Sequence, residues 1–267
     1  NSGIINILAN FAGALFITLY FTFFDNVPYI EANLTEDLVV PGLMFIFLVF
    51  IGAVLYRNWF KDINRYIKLR LDRNYTDPSL LKKVQRKVLN VPLAASATSM
   101  FNWVLASVIM STMVLVKYGF SNITAEIWFY VFRTFTGIII GGIVTSVLVF
   151  FLMEHFCRKI VPHFFPAGGL VKTRGVFRLS LRMRIMITFI FASFIPITDL
   201  AFLSYLKARE MLGPDPEAVL SSLSFLIVFV LVIDLSMAVI LSHLLSRIIV
   251  KPVTEMKEAM ELVEKGP

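Results

Sequence analysis

Long apolar runs separated by polar segments dominate this sequence. Six of them carry almost no Lys or Arg and extend over roughly 4–24, 38–56, 91–116, 126–153, 185–206 and 218–245. A run of about 20 apolar residues without strict alternation predicts a helix that crosses a bilayer. Membrane β-strands are shorter and alternate between apolar and polar positions. We therefore expect an all-α, polytopic membrane protein with six transmembrane helices.

The composition supports a lipid environment. Hydrophobic residues make up 58% of the 267 residues, and the mean hydropathy is +0.79. Soluble domains are only about half apolar, so much of this protein's surface must itself be apolar. The net charge of +7 comes mainly from residues that flank the apolar runs. This placement favours anionic lipid headgroups, and not nucleic acid, as the partner of the basic residues.

Lys and Arg are distributed unequally between alternate connections. Ten lie in 57–90, seven in 154–184 and four from 247 to the end, whereas the other connections hold three between them. The positive-inside rule places the basic connections and both termini in the cytoplasm. This orientation requires an even number of spans, which six satisfies. We expect a multi-pass protein of the inner (plasma) membrane of the cell.

The first basic connection contains a second kind of helix. Asp77-Pro78 is typical of a helix start, and Leu81, Val84 and Val88 would then share one face. The remaining faces hold the cations Lys82, Lys83, Arg86 and Lys87. This pattern predicts a basic amphipathic helix lying at the inner headgroups.

Four polar side chains fall inside predicted spans, where a charge costs roughly 2.5–3.5 kcal/mol. Arg133 and Asp199 lie at similar depth, about 10 Å from the outer ends of spans four and five. Three alternatives stay open for Arg133. It snorkels alone to the interface, pairs with Asp199, or binds the carboxylate of a ligand from the outer leaflet. Asn102 and Asp234 lie near the middle of spans three and six, where an interhelical hydrogen bond is the simplest role.

Other candidate sites in the sequence are weaker. Span four contains Gly137, Gly141 and Gly142, a spacing that allows two membrane helices to approach closely. His155, Cys157 and His163 lie near the inner end of span four but provide too few ligands for a closed zinc site, so we expect no metal. The sequence has no nucleophile–base set, phosphate loop or pair of metal-binding acids. We therefore assign no catalytic residues.

The end of the chain carries a heptad pattern. Pro252 is followed by Val253, Met256, Met260 and Val263, which are spaced by 3, 4 and 3 residues. Apolar residues at this spacing with charged flanks form the seam of a coiled coil. Two copies of the helix would bury the seam between them. The pattern predicts a homodimer through span six and this helix, with Pro252 to Val263 as a signal relay.

Pro252, the seam and Gly266 resemble the first helix of a HAMP linker, so we assign 247–267 to that linker and 1–246 to the transmembrane module. Six spans that lead into such a linker, with short outer loops, resemble the membrane anchors of bacterial class III adenylate cyclases of the mycobacterial type. A basic entry to span three is also similar in those anchors. It corresponds here to Lys83-Val84-Gln85-Arg86-Lys87-Val88-Leu89-Asn90-Val91-Pro92, followed by Trp103.

The resemblance implies a function. A cytoplasmic catalytic domain outside this chain would form a dimer and convert ATP to cyclic AMP with Mg²⁺ or Mn²⁺, whereas the chain itself would need no cofactor. The short outer loops offer no surface for a large soluble ligand. We hypothesise a lipophilic ligand such as a fatty acid, with Arg133 holding its carboxylate. Alternative functions are the sensor module of a histidine kinase, a passive membrane anchor and, less favoured, a transporter.

Overall fold

The computed structural model describes most of the first two thirds of the chain and selected positions beyond. The described residues are 2–24, 34–73, 78–118, 124–165, 176, 181–190, 197–198, 200–201, 204–205, 208, 220, 223–225, 227–240, 242–243, 246 and 260. Nearly all of them are helical, and no strand occurs among them. The prediction of an all-α fold is therefore confirmed. The chain divides into two compact units, Asn1–Phe177 and Arg178–Pro267.

The first unit is built from five helices and one short turn of 3-10 helix. These are α1 (Ser2–Phe24), α2 (Leu34–Arg73), α3 (Pro78–Leu89), α4 (Val91–Tyr118), α5 (Ala125–Ile160) and the 3-10 turn Val161–Phe164. The second unit contains α6 (Leu181–Phe189) and a further apolar helix, Leu223–Ile240.

Four helices within the described ranges are long and apolar enough to cross a membrane. They are Gly42–Arg70, Val91–Lys117, Ile127–Phe164 and Leu223–Ile240. These helices overlap predicted spans two, three, four and six and indicate a membrane protein. The apolar stretch of α1, Gly3–Leu19, is shorter. Predicted span five is described only in part.

Two helices extend well beyond the predicted ends of their spans. Helix α2 has 40 residues and is therefore about 60 Å long, twice the thickness of the hydrocarbon layer. We predicted that span two ends at Tyr56. No Gly or Pro follows it before Pro78, so the sequence contains no helix-breaking residue over this extension. Helix α5 continues past the predicted 153 to Ile160. It ends there because Pro162 has no N–H to continue the α-helical hydrogen bonds, and the chain goes on as a turn of 3-10 helix.

Helices α4 and α5 form a hairpin against which α1 and α2 pack. Small residues allow the close approach. A Cβ atom added at Gly141 would lie 2.7 Å from Ile17 of α1, and one added at Gly142 would lie 2.5 Å from Trp103 of α4. The close helix approach predicted from the glycines of span four is therefore found at Gly141 and Gly142.

Helix α3 forms where the Asp77-Pro78 motif predicts it, but its apolar face does not face lipid. Val84 and Val88 are 0% and 4% exposed. They pack in one cluster, the basal cluster, with residues from the charged end of α2, from α5 and from the end of the 3-10 turn. Its buried members are Ile63, Tyr66, Val84, Val88, Val91, Cys157, Phe164 and Phe165. The interpretation of α3 as a helix that lies on the membrane through this face is therefore corrected, because protein already covers the apolar side chains.

Candidate functional site

Arg133 lies inside the protein, within the apolar part of α5. The helix is capped at its start by Thr124, whose hydroxyl oxygen accepts a bond from the amide of Ile127 at 3.4 Å. Arg133 follows eight residues after Ala125, about 12 Å along the helix axis. Its side chain is only 5% exposed. A snorkelling arginine would extend its guanidinium toward water, so this burial favours the two alternatives in which Arg133 faces a partner inside the protein.

The proposed ion-pair partner of Arg133 cannot be placed. Asp199 lies outside the described residues, so the pair stays a prediction. The same applies to most of the predicted relay, because Pro252, Val253, Met256 and Val263 also lie outside them. Met260 is described. Its backbone is helical, and its side chain is 70% exposed.

The two mid-membrane polar residues have different surroundings. Asn102 on α4 donates its amide N–H to the backbone carbonyl of Leu48 on α2, at 3.2 Å. Gly52 permits this approach, because a Cβ atom there would lie 2.9 Å from Asn102 Nδ2. Asn102 thus joins α2 to α4 through its N–H, while its buried Oδ1 oxygen has no hydrogen-bond partner among the described residues. Asp234 is half-buried in the helix Leu223–Ile240, and its buried Oδ2 oxygen has no hydrogen-bond partner within the described part of the chain.

A polar network in the middle of the first unit was not predicted. Asn10 of α1 accepts two hydrogen bonds at its Oδ1 atom, from Ser99 Oγ at 2.7 Å and from Trp103 Nε1 at 2.9 Å. Its Nδ2 atom donates to the side-chain and backbone oxygens of Asn6, both at 2.8 Å. Ser146 of α5 completes the set by donating to Ser99 Oγ at 3.4 Å. We call these five residues the Asn10 network.

The Asn10 network connects three helices and leaves its central amide fully bonded. Ser99 and Ser146 are 1% and 5% exposed, so these bonds form away from solvent, where an unpaired polar group is costly. Glycines on two sides leave room for Trp103. A Cβ atom at Gly13 would lie 3.0 Å from its ring, and one at Gly142 would also collide with it. The network therefore fixes the packing of α1, α4 and α5.

The basal cluster is surrounded by polar contacts that join the same helices. Arg70 Nη1 donates to the carbonyl of His163 at 2.9 Å, and Gln85 Nε2 donates to the carbonyl of Phe164 at 2.9 Å. Lys87 Nζ donates to the carbonyl of Trp59 at 3.2 Å and lies 5.6 Å from the centre of its ring. These bonds tie the charged extension of α2 to α3 and to the turn that follows α5.

Asp62 is the acidic partner in this region. Its Oδ2 atom lies 2.6 Å from Lys87 Nζ and 3.0 Å from Lys83 Nζ. The hydrogen bond from Lys87, followed by the one from Lys83, holds the pKa of the Asp62 carboxyl below its usual value. Asp62 is on the part of α2 that extends beyond the predicted span. In its charged form, the Asp62 carboxylate therefore links α2 to α3 through these two ion pairs.

A metal centre finds no support in the described ranges. They contain no group of three or more His, Cys, Asp or Glu side chains that could hold a metal ion. Cys157 is a free thiol buried in the basal cluster, and His163 contributes its backbone carbonyl to the bond with Arg70.

Comparison of the chain with protein-family models, with curated proteins and with solved structures finds no match.

Proposed function

We propose that this chain is the sensing and transmitting module of a membrane-bound signalling enzyme, of the type that anchors class III adenylate cyclases. In this proposal six helices cross the membrane. Four of them correspond to the long apolar helices already described. Helix α1 would be the first span, because its 23 residues give a length of about 34 Å. The segment that begins with α6 would be the fifth.

The observation that carries the proposal is the burial of Arg133 within an apolar helix. A guanidinium enclosed by protein in this setting is costly unless it meets an anion. Its fork of donors matches a carboxylate in two parallel hydrogen bonds. We propose that the carboxylate of a lipophilic ligand, such as a fatty acid, binds this guanidinium.

The polar groups elsewhere in the first unit favour sensing over transport. A transport pathway needs polar groups that are open at mid-depth. The central amide of the Asn10 network is instead fully engaged with Asn6, Ser99 and Trp103. We infer that α1, α2, α4 and α5 act as a frame that holds the Arg133 position.

The signal from ligand binding would pass to the cytoplasm through the last span. In the proposal, ligand binding biases the helix that contains Asp234, and the heptad seam from Val253 to Val263 carries the change to a dimeric domain. A coupling free energy of 1–3 kcal/mol would change the output by about 5- to 150-fold. The choice of cyclase over histidine kinase rests on the resemblance of the six spans with short outer loops, and of the basic entry to span three, to the membrane anchors of these cyclases.

The proposal is tested by measuring fatty-acid binding to the chain in lipid nanodiscs. We expect Arg133→Ala to weaken binding of a long-chain fatty acid by about 10- to 100-fold, the loss of a charge-assisted hydrogen bond. The methyl ester of the same acid lacks the charge and should bind both proteins equally. Lys117→Ala removes an exposed cation from α4 and serves as the matched control. Equal affinity of wild type and Arg133→Ala for the free acid would eliminate Arg133 as the ligand partner.

A further inference from the structure

One face of α2 changes from apolar to basic where the helix leaves its apolar segment. Leu43, Ile46 and Phe50 are 62%, 65% and 67% exposed, which in a membrane helix means exposure to lipid. Further along the same helix, the exposed positions are cationic. We call the four exposed residues Arg57, Lys61, Arg65 and Lys68 the α2 stripe.

The α2 stripe continues the lipid-facing surface and does not start a new one. Its members are spaced by 4, 4 and 3 residues, which places them on one side of a helix that turns about 100° per residue. Leu43, Ile46 and Phe50 fall within the same arc of about 100°. The stripe therefore points outward from the bundle, toward the surrounding leaflet.

The cations of the α2 stripe are not neutralised by the protein. In the part of the chain that the structure describes, none of the four makes an ion pair or a side-chain hydrogen bond. The nearby carboxylate of Asp62 is bound by Lys83 and Lys87 instead. The opposite side of α2 is occupied, because Ile63 and Tyr66 are 4% and 3% exposed in the basal cluster.

We propose that the α2 stripe binds the phosphate groups of anionic phospholipids in the adjacent leaflet. The headgroup layer is about 5–7 Å thick on each side of the hydrocarbon core. At 1.5 Å per residue, Lys61 lies about 6 Å beyond Arg57 along the axis, and Lys68 about 16 Å beyond it. The proximal pair, Arg57 and Lys61, therefore lies at headgroup depth, whereas the distal pair, Arg65 and Lys68, extends past it.

The different depths of the two pairs distinguish binding of phospholipid from binding of a soluble acidic partner. Lipid phosphates would depend mainly on the proximal pair. An acidic protein surface in the aqueous phase would depend at least as much on the distal pair. The inference requires only that α2 is inserted in a membrane and is independent of any ligand at Arg133.

The test compares two double variants of the chain that remove the same charge from the same face of α2. They are Arg57→Gln with Lys61→Gln, and Arg65→Gln with Lys68→Gln. Association of spin-labelled phosphatidylglycerol and phosphatidylcholine is measured by electron paramagnetic resonance in reconstituted membranes. We expect the wild type to prefer phosphatidylglycerol and the proximal variant to lose about fivefold or more of that preference. The distal variant should lose much less.

Salt provides an independent check, since the preference should shrink as ionic strength rises. An equal or larger loss in the distal variant would overturn the proposal, because the lipid phosphates would then not be bound at the depth of Arg57 and Lys61. No change in either variant would overturn it by showing that the stripe only orients the protein. Both variants should retain the wild-type unfolding midpoint, because all four side chains are exposed.

Discussion

Replacing Asn10 with leucine should loosen the contact between α1 and α4. Leucine has a similar size but cannot accept the hydrogen bonds that Asn10 Oδ1 receives from Ser99 at 2.7 Å and Trp103 at 2.9 Å. Hydrogen bonds between membrane helices contribute about 0.6 kcal/mol each on average and up to about 1.7 kcal/mol. Since two such bonds are lost, the free energy of unfolding should fall by about 1–3 kcal/mol.

The assay uses the single cysteine of the chain. Cys157 is 7% exposed in the basal cluster, so a thiol reagent should label it only after unfolding. Labelling across a detergent titration would give the free energy of unfolding for Asn10→Leu, Trp103→Phe and the double variant. The coupling energy of this double-mutant cycle should be about 0.6–1.7 kcal/mol. Thr112→Val, which removes only the bond from Thr112 to the carbonyl of Val108 within α4, is the control and should have little effect.

A neutral or stabilising Asn10→Leu substitution would refute the reasoning. So would a coupling energy near zero, because the bond between Asn10 and Trp103 would then contribute nothing to the association of α1 with α4.

The remaining predictions concern a glycine and a carboxylate. Gly142→Ala should destabilise the bundle by about 1–3 kcal/mol, because its Cβ would lie 2.5 Å from Trp103. Gly42→Ala, which meets nothing within 4 Å, should be neutral; equal effects would contradict the proposed close packing. Asp62 has a lowered pKa, so its carboxylate stabilises the fold above the unfolded-state pKa of about 4, and this contribution is lost as the pH falls through the lower folded pKa. Asp62→Asn should therefore cost up to about 1 kcal/mol at pH 7 and progressively less below about pH 4; a loss that does not depend on pH would contradict this ion pair.

The sequence predicted the helices better than it predicted their ends. Hydropathy located the apolar centres of α2, α4 and α5, because lipid exposure demands a continuous apolar run. The continuation of α2 to Arg73 was missed because hydropathy identifies the part of a helix that lies in the bilayer. It does not show where the helix itself ends. A polar segment without Gly or Pro remains helical when tertiary packing supports it, as the basal cluster does here through Ile63 and Tyr66.

The polar network was missed for a different reason. Asn6 and Asn10 are four residues apart on α1, a spacing that the sequence shows, but their partners lie on other helices. In a membrane helix most faces are apolar, so the hydrophobic pattern does not reveal which face turns inward. The same limit applied to α3, whose apolar face was predicted correctly from Val84 and Val88. That α2 and α5 cover this face follows only from the tertiary structure.

The most direct test of the proposed sensing is a distance measured at the predicted relay. Met260 is 70% exposed, so a spin label fits at Met260→Cys in a Cys157→Ala background. Two copies in one nanodisc should show a short distance between their labels, which shifts when a long-chain fatty acid is added. The shift should disappear with Arg133→Ala. Labels without dipolar coupling, or a distance that the fatty acid leaves unchanged, would contradict the claim that a ligand at Arg133 is signalled to the end of the chain.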